Sequence, residues 1–320
     1  MRLIFAGSSQ FAVPALRGLL EVSPPVLVLS RPERPAGRNL KPRLCPLAEF
    51  AQSKGLPLSQ PEDVNSPDSV RSIRSLEADL LITASYGALL RKPLRESTRL
   101  GAINLHPSLL PLHRGATPVQ SALLKGDSLT GTTIFALNSR LDAGPILAQK
   151  ELPILPEDDH ASLEGRLAEL SARLLLDLLP VLERDGVVGR EQDHSRASYC
   201  AKLDKDDLVL DWNMEANTLH NRIRAFSPLP GAYTLLRGER LKILAARPLP
   251  EPPSGTPGSL GQVVKNTGFT VNCRDAQLLI LKVQPAGKRA MDAWAYQLGA
   301  RLNPGERFAG EPPKPDLENT

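Results

Sequence analysis

The sequence predicts an α/β protein of two domains: a mainly parallel sheet covered by helices, then a small β-barrel or sandwich. Three observations carry this. The chain has 320 residues, beyond the ~250–300 at which single hydrophobic cores stop growing. Its first half alternates short apolar runs with helix-like stretches, the signature of a largely parallel sheet. Beyond residue 208 come short strand-like runs separated by turn signals such as PLPG and PPSGTPG, as in small barrels and sandwiches. With 41% hydrophobic and 23% charged residues, the composition is that of a folded protein and excludes wholesale disorder.

Leu3 to Gly7 is the first apolar strand, followed by a turn and an amphipathic helix from Phe11 to Glu21. Gly7-Ser8-Ser9 lacks the G-x-G-x-x-G spacing of a dinucleotide fold and reads as a plain strand–helix turn. Val26 to Leu29 is the second strand. A proline-rich basic loop from Ser30 to Pro46 leads to a helix over Leu47 to Lys54. Ser66, with Pro67 behind it, caps another helix. Asp79 to Thr83, Ala102 to Leu105 and Thr132 to Leu137 read as strands, Thr117 to Lys125 as a helix. The Leu-rich amphipathic stretch Asp159 to Leu182 closes the domain, expected to span 1–184. A polar, aperiodic segment, 185–207, reads as a linker. In the second domain, 208–308, a helix over Ala216 to Arg224 precedes strands near 232–236, 241–245, 261–264, 269–273 and 277–283. The proline-rich end, 309–320, reads as a disordered tail.

The net charge of +4 hides a pattern. Residues 1–150 carry 18 Lys and Arg against 11 Asp and Glu, residues 151–220 carry 7 against 16, and residues 221–310 carry 13 against 5. Two basic segments around an acidic one fit a polyanion touching both ends, although ordinary solvated surfaces would give the same counts. Cys45, Cys200 and Cys273 are far apart, which disfavours a disulfide framework or zinc ribbon and fits a reduced, cytoplasmic setting. No apolar run approaches the ~18 residues of a membrane span. MRLIFAGSSQ reads as strand and turn, without the h-region of a signal peptide. Proline is in excess, 30 of 320, against a usual ~5%.

The densest chemistry lies in Ile103-Asn104-Leu105-His106-Pro107-Ser108-Leu109-Leu110-Pro111. Asn104 and His106 flank one residue at a strand's C-terminal end, so both project from the same face, where open parallel sheets place their ligands. Imidazole and amide together suit acyl transfer, one shuttling a proton and the other stabilising an oxyanion. A plain hydrogen-bonded histidine at a strand end is the commoner reading of such a pair taken alone. Asp142 in Leu141-Asp142-Ala143-Gly144 could orient His106, or serve only the turn. His106 and His113 are seven apart, and Pro107 and Pro111 prevent a helix from aligning them, so no metal site is expected.

Taken together, NLHPSLLP, RGATPVQ (Arg114 to Gln120) and LDAG resemble the formyltransferase family that uses 10-formyltetrahydrofolate. Its pattern is N-x-H-x-S-L-L-P, then R-G-x-x-P-[IV]-Q, then L-D-x-G. The resemblance implies Asn104, His106 and Asp142 as catalytic residues, with a protonated His106 and Asn104 stabilising the oxyanion. It implies Ser108, Leu109, Leu110 and Pro111 as the folate-binding stretch. Arg34 to Arg38 resemble the loop of the family branch whose acceptor is initiator methionyl-tRNA, with Asn39-Leu40-Lys41-Pro42-Arg43 where the pattern continues G-K-K. Tyr199-Cys200-Ala201-Lys202 stands for Y-A-x-K, Ile223 to Ala232 for I-R-[AG]-F-N-P-W-P-G-A, and Gln284 to Met291 for Q-P-x-G-K-K-x-M. The likeness covers residues 1–308. It implies a Rossmann-like formyltransferase domain with a C-terminal OB-like β-barrel, and a co-substrate, 10-formyltetrahydrofolate, used without metal. It also implies a grip on initiator methionyl-tRNA, for which Arg38, Lys41, Arg43, Lys202, Lys242, Lys282, Lys288 and Arg289 are the candidates. A monomer in the cytoplasm, without membrane contact, completes the expectation.

Overall fold

The computed structural model describes residues 1–36, 41–200 and 202–310. In chain order the elements are β1 (Leu3–Gly7), α1 (Val13–Val22), β2 (Leu27–Leu29), β3 (Arg34–Ala36), β4 (Lys41–Arg43), α2 (Pro46–Ser53), β5 (Leu58–Ser59) and α3 (Pro67–Arg74). Then follow β6 (Leu80–Ala84), α4 (Lys92–Arg95), β7 (Ala102–His106), α5 (Pro118–Lys125), β8 (Leu129–Ala136), β9 (Ile146–Pro153) and α6 (His160–Asp185). The remainder comprises α7 (Ala216–Phe226), β10 (Tyr233–Leu236), β11 (Glu239–Leu249), β12 (Leu260–Val264), β13 (Gly268–Asn272), β14 (Gln277–Pro285), β15 (Met291–Asp292), α8 (Ala293–Ala300) and β16 (Phe308–Ala309). One compact unit takes Met1–Pro118, Ser128–Ile154 and Leu163–Cys200; the other takes Val119–Asp127, Leu155–Ser162 and Ala201–Thr320.

The first unit is built on a sheet of order β5-β2-β1-β6-β7-β8-β9. From β5 to β7 neighbours run parallel, so their C-terminal ends share one edge. β1 and β6 are buried along their whole length, as apolar strands covered on both faces must be. Gly7 ends β1 because a Cβ there would lie 2.8 Å from the Ala84 carbonyl oxygen and 2.8 Å from the Ala12 Cβ. Its role is close packing. The parallel pattern stops at β7, because β8 and β9 pair antiparallel. β8 begins three residues before the run that announced it, and β9 had no sequence signal. It is the edge strand, largely half-exposed, with Lys150 and Glu151 turned outward, a composition that blunts further pairing.

Helix α6 buries Leu163, Leu167, Ala168, Ser171, Ala172, Leu175, Leu178, Leu179 and Leu182, the 3.6-residue stripe its sequence displays. The segment expected as a linker, 185–207, is divided, with its part up to Cys200 in the first unit. Arg190 and Ile146 exchange backbone hydrogen bonds of 2.8 and 2.7 Å, and Tyr199 forms a parallel bridge with Arg114. This stretch is a strap held by its backbone, which is why it shows no apolar period.

In the second unit the sheet order is β12-β13-β14-β11-β10-β16, with β15 on β14, and all pairs are antiparallel. Ser259, just before β12, bridges Arg307, just before β16. The Phe308 amide donates to the Gly258 carbonyl at 2.7 Å and the Leu260 amide to that of Glu306 at 2.8 Å. The two ends of the sheet thus meet, closing the barrel the short strands predicted. Phe269 stacks on Phe308 at 5.5 Å in its core, and buried Trp212 donates through Nε1 to Thr234 Oγ1 at 3.0 Å. Ala309, placed in the expected tail, still pairs with Leu235 in β16, whereas 311–320 lie outside the described residues.

Ser66 caps α3 as expected, its Oγ accepting from the Ser69 amide at 3.2 Å. Ser66→Ala should therefore lower unfolding free energy by about 1 kcal/mol in chemical denaturation, and leave activity intact.

Candidate active site

Strand β7 delivers two side chains to the sheet's C-terminal edge. Asn104 is half-buried, and its Oδ1 accepts from Thr83 Oγ1 at 2.6 Å. The amide Nδ2 has no acceptor among the described residues, so its two hydrogens remain available. His106, only 4% exposed, meets the Phe135 ring edge-on at 6.3 Å. Its Nε2 donates to the His113 carbonyl at 3.0 Å. A carbonyl can only accept, so Nε2 carries the hydrogen and Nδ1 presents a lone pair. Nδ1 lies 3.8 Å from Asp142 Oδ2.

Burial pushes the His106 pKa below its ordinary 6.5, with His113 adding to the decrease, while Asp142 and the His113 carbonyl pull it back up. The resting imidazole is neutral at pH 7. This departs from the expected protonated ring: neutral and tethered at Nε2, it is set to take a proton at Nδ1 beside a carboxylate.

Asp142 sits in the left-handed region, φ 46°, which Asp tolerates better than most residues. Its Oδ2 accepts from the Gly115 amide at 2.8 Å. Gly144 follows because a Cβ there would fall 1.8 Å from the Ala136 carbonyl oxygen. The L-D-x-G spacing is thus a glycine pressed on β8, with the carboxylate two residues earlier turned toward His106.

Residues 113–115 therefore hold both groups, His106 through a carbonyl and Asp142 through an amide. Between them Arg114 is only 2% exposed. Its guanidinium donates to Gln192 Oε1 from Nη2 at 2.7 Å and from Nε at 3.3 Å, to His194 Nδ1 at 2.9 Å and to the Tyr199 hydroxyl at 3.3 Å. Gly115, φ 118°, adopts a backbone conformation that side chains rarely take, and a Cβ there would press on Cys200 Sγ at 3.0 Å.

In the expected folate stretch two of the four side chains are buried. Ser108 is fully buried and its Oγ donates to the Leu112 carbonyl at 2.6 Å; Leu110 is buried, and a Leu109 methyl packs on Gly131. Thr133 Oγ1 donates to the Ser108 carbonyl at 2.6 Å and accepts from the Leu110 amide at 3.1 Å and Gln149 Nε2 at 2.8 Å. Pro111 remains half-exposed. At the same edge of the sheet, an open cleft of about 240 Å³ is lined by Arg31, Asn65, Tyr86, Gly87, Leu89 and Arg91 among others. Burial pushes the Tyr86 hydroxyl up to about 12, so it stays protonated.

Of the expected RNA-contacting residues, Arg38 lies outside the described residues, Lys41 falls in β4, and Arg43 is exposed opposite Arg34. In the second unit Lys202, Lys282, Lys288 and Arg289 are exposed, whereas Lys242 is half-buried and its Nζ donates to the Pro230 carbonyl at 2.6 Å. Among the described residues there is no group of three or more His, Cys, Asp or Glu able to hold a metal ion. None of their helices is long and apolar enough to cross a membrane. Sequence reasoning missed Gln192, Thr133 and Gln149. Gln192 lies in an aperiodic polar stretch; the other two face inward on strands, with nothing in their spacing to mark them.

A formyl transferase family model matches residues 1–179, and a formyl transferase C-terminal domain model matches 202–301. The methionyl-tRNA formyltransferase of Methylococcus capsulatus is 42% identical over 309 residues, covering 96% of this chain and 99% of its own. That of Roseiflexus castenholzii is 39% identical, covering 97% and 99%. Among solved structures, an N-formyltransferase from Helicobacter canadensis in complex with folinic acid and dTDP-3-aminofucose superposes at TM-score 0.67, with 16% identity and 89% and 99% coverage. HypX from Aquifex aeolicus in complex with tetrahydrofolic acid superposes at 0.61, with 19% identity, over 93% of this chain and 47% of that one. These two share the fold.

The tautomer is measurable. In ¹⁵N-histidine spectra, His106 should carry its proton on Nε2 at pH 7 and reach half-protonation below 6.5. Asp142→Asn should move that midpoint lower, because the carboxylate favours the charged ring. A charged ring at pH 7 would overturn the assignment.

Proposed function

This chain belongs to the formyl transferase family, and on that premise we propose that it transfers a formyl group from 10-formyltetrahydrofolate to initiator methionyl-tRNA. The acceptor is the methionine α-amino group, and the product is N-formylmethionyl-tRNA for translation initiation. The observation that carries this reading is one turn, 113–115, holding a neutral His106 and an Asp142 carboxylate beside the free amide of Asn104.

The folate supplies the formyl carbon; the amine attacks it, and the bond from that carbon to N10 breaks. His106 accepts the proton that the amine loses and gives it up to N10 as the carbon–N10 bond breaks, so the folate leaves as the neutral amine. Nδ1 is the receiving atom, since Nε2 is occupied by the His113 carbonyl. The resulting imidazolium lies 3.8 Å from Asp142 Oδ2, which stabilises it. Asn104 Nδ2 donates to the developing oxyanion, its amide oriented by Thr83. A free α-amine has a pKa of ~7.7–8.0, so part of it is already neutral at pH 7 and only a modest push is needed.

The cleft between the ends of β2 and β6 is the candidate donor site, large enough for part of a folate. Its guanidinium groups, Arg31 and Arg91, suit the glutamate carboxylates. The acidic Glu62 in its wall lies 3.9 Å from Arg34. Leu109 and Pro111 are the members of the expected folate stretch with surface to offer. The exposed basic residues Arg43, Lys202, Lys282, Lys288 and Arg289 are the candidates to hold tRNA phosphates, with Arg38 and Lys41. The same reading takes residues 1–184 as the catalytic domain and 208–308 as the RNA-gripping barrel, in a monomer working in the cytoplasm.

Asn104→Ala should lower kcat about 10²–10³-fold, the usual cost of one oxyanion donor, and His106→Ala about 10²–10⁴-fold, with tRNA affinity nearly unchanged. Formylation of charged initiator tRNA by the wild type is the primary test; near-normal turnover in either variant would sink these roles. Affinity for that tRNA should fall steeply between 50 and 200 mM salt in a gel-shift titration, as phosphate contacts demand. A flat response would remove the basic surface from the account.

A further inference from the structure

We propose that Gln192 is a positioning residue for the reaction, locking the Asp142 loop onto the turn that orients His106. The inference rests on the reading of His106 and Asp142 as the catalytic pair. The Gln192 side chain, 6% exposed, makes all its hydrogen bonds to that machinery. Its Nε2 donates to the Asp142 carbonyl at 3.0 Å and to the Gly144 carbonyl at 2.7 Å. Its Oε1 accepts from Arg114 Nη2 at 2.7 Å and Nε at 3.3 Å. One carboxamide thus joins the backbone on both sides of Ala143 to the side chain of Arg114.

The consequence follows from what those two segments do. Arg114 separates the carbonyl that fixes His106 from the amide that fixes Asp142. The Asp142 loop is held in a left-handed conformation, which an aspartate leaves readily unless its neighbours are fixed. Gly144 is pinned by its approach to Ala136. Among the described residues, Asp142 is held by the Gly115 amide and by the two-carbonyl clamp of Gln192. Without the clamp, the carboxylate is free to swing from His106 Nδ1, and a misplacement of ~1 Å costs about 10²-fold in rate.

A merely structural glutamine would hold the strap to the unit and leave turnover alone. The chemistry of the side chain separates the two roles. Gln192→Glu keeps an oxygen for Arg114 and loses the two N–H donors to the Asp142 and Gly144 carbonyls. Gln192→Leu loses everything.

The experiment compares both variants with wild type for formylation of methionyl-tRNA, and repeats Gln192→Glu in an Asp142→Ala background. Both single variants should lose about 10–100-fold in kcat, with KM for tRNA and folate within about threefold of wild type. In the Asp142→Ala background, Gln192→Glu should cost less than about threefold more, because residues acting as one unit are not additive. Should Gln192→Leu fail to fold, Gln192→Glu, which retains the Arg114 partner, decides alone. Wild-type kcat in Gln192→Glu, or an undiminished loss in the Asp142→Ala background, would overturn the positioning role. Absence of formylation by the wild type would overturn the functional reading instead.

Discussion

Everything at the site depends on the backbone of three residues. His113 gives its carbonyl to His106, Gly115 gives its amide to Asp142, and Arg114 between them points its guanidinium into the protein. Carbonyl and amide are fixed dipoles with no rotamer to lose, so they set the ring and the carboxylate more firmly than side chains would. They also decide the chemistry. An acceptor at Nε2 forces the hydrogen onto that nitrogen, which makes Nδ1 the basic atom on the side of Asp142.

This arrangement requires that Arg114 be buried, which is costly for a cation unless it is fully bonded. Its hydrogen-bond partners are a carboxamide, an imidazole nitrogen and a phenol, all supplied by the strap up to Cys200. None of these partners among the described residues is a carboxylate. A carboxylate at Gln192 would pair better with the guanidinium and repel the Asp142 and Gly144 carbonyls. The neutral glutamine bonds both sides, which accounts for a carboxamide where an isolated ion pair would favour an acid. Stripping the strap away would leave donors at ~1–3 kcal/mol each unsatisfied, so this aperiodic stretch is an integral part of the first unit.

The extent to which the fold was legible follows from the same physics. β1, β2, β6 and β7 are apolar because helices cover them, and a covered strand writes itself as a run of Leu, Ile, Val and Phe. β9 is an edge strand with charged residues, so its sequence resembles a loop. The strap is invisible for a stronger reason, being held by main-chain bonds and by Gln192, neither of which imposes a period. At the site, Asn104, His106 and Asp142 were legible through the N-x-H-x-S-L-L-P and L-D-x-G motifs; alternation on a strand put the first two on one face, while the glycine after Asp142 by itself pointed to a turn. Ser108 and Leu110 were recognisable as a motif, but not as buried turn-builders, because residue type does not say which way a side chain faces. The neutral state of His106 was not legible, since it depends on burial, and neither was its tautomer, which depends on a carbonyl seven residues away.

Three places where this chain departs from the family pattern, at 200, 227 and 229, have a common reason. Cys200 replaces alanine, yet the Arg114 carbonyl it faces already accepts from the Cys200 amide at 2.8 Å, so the thiol adds to a bond that alanine would also make. Ser227 replaces asparagine and still donates, its Oγ reaching the Leu244 carbonyl at 2.8 Å. Leu229 replaces tryptophan in a loop where the side chain is 71% exposed and no core depends on it. Substitution falls where the backbone makes the bond, where another donor can make it, or where solvent replaces the contact. Gly115, Gly144 and Gln192 meet none of those conditions. Gly144 is closed to any Cβ, Gly115 holds a φ that side chains rarely adopt, and Gln192 needs both faces of a carboxamide, so these positions constrain the sequence as tightly as the residues that handle the proton.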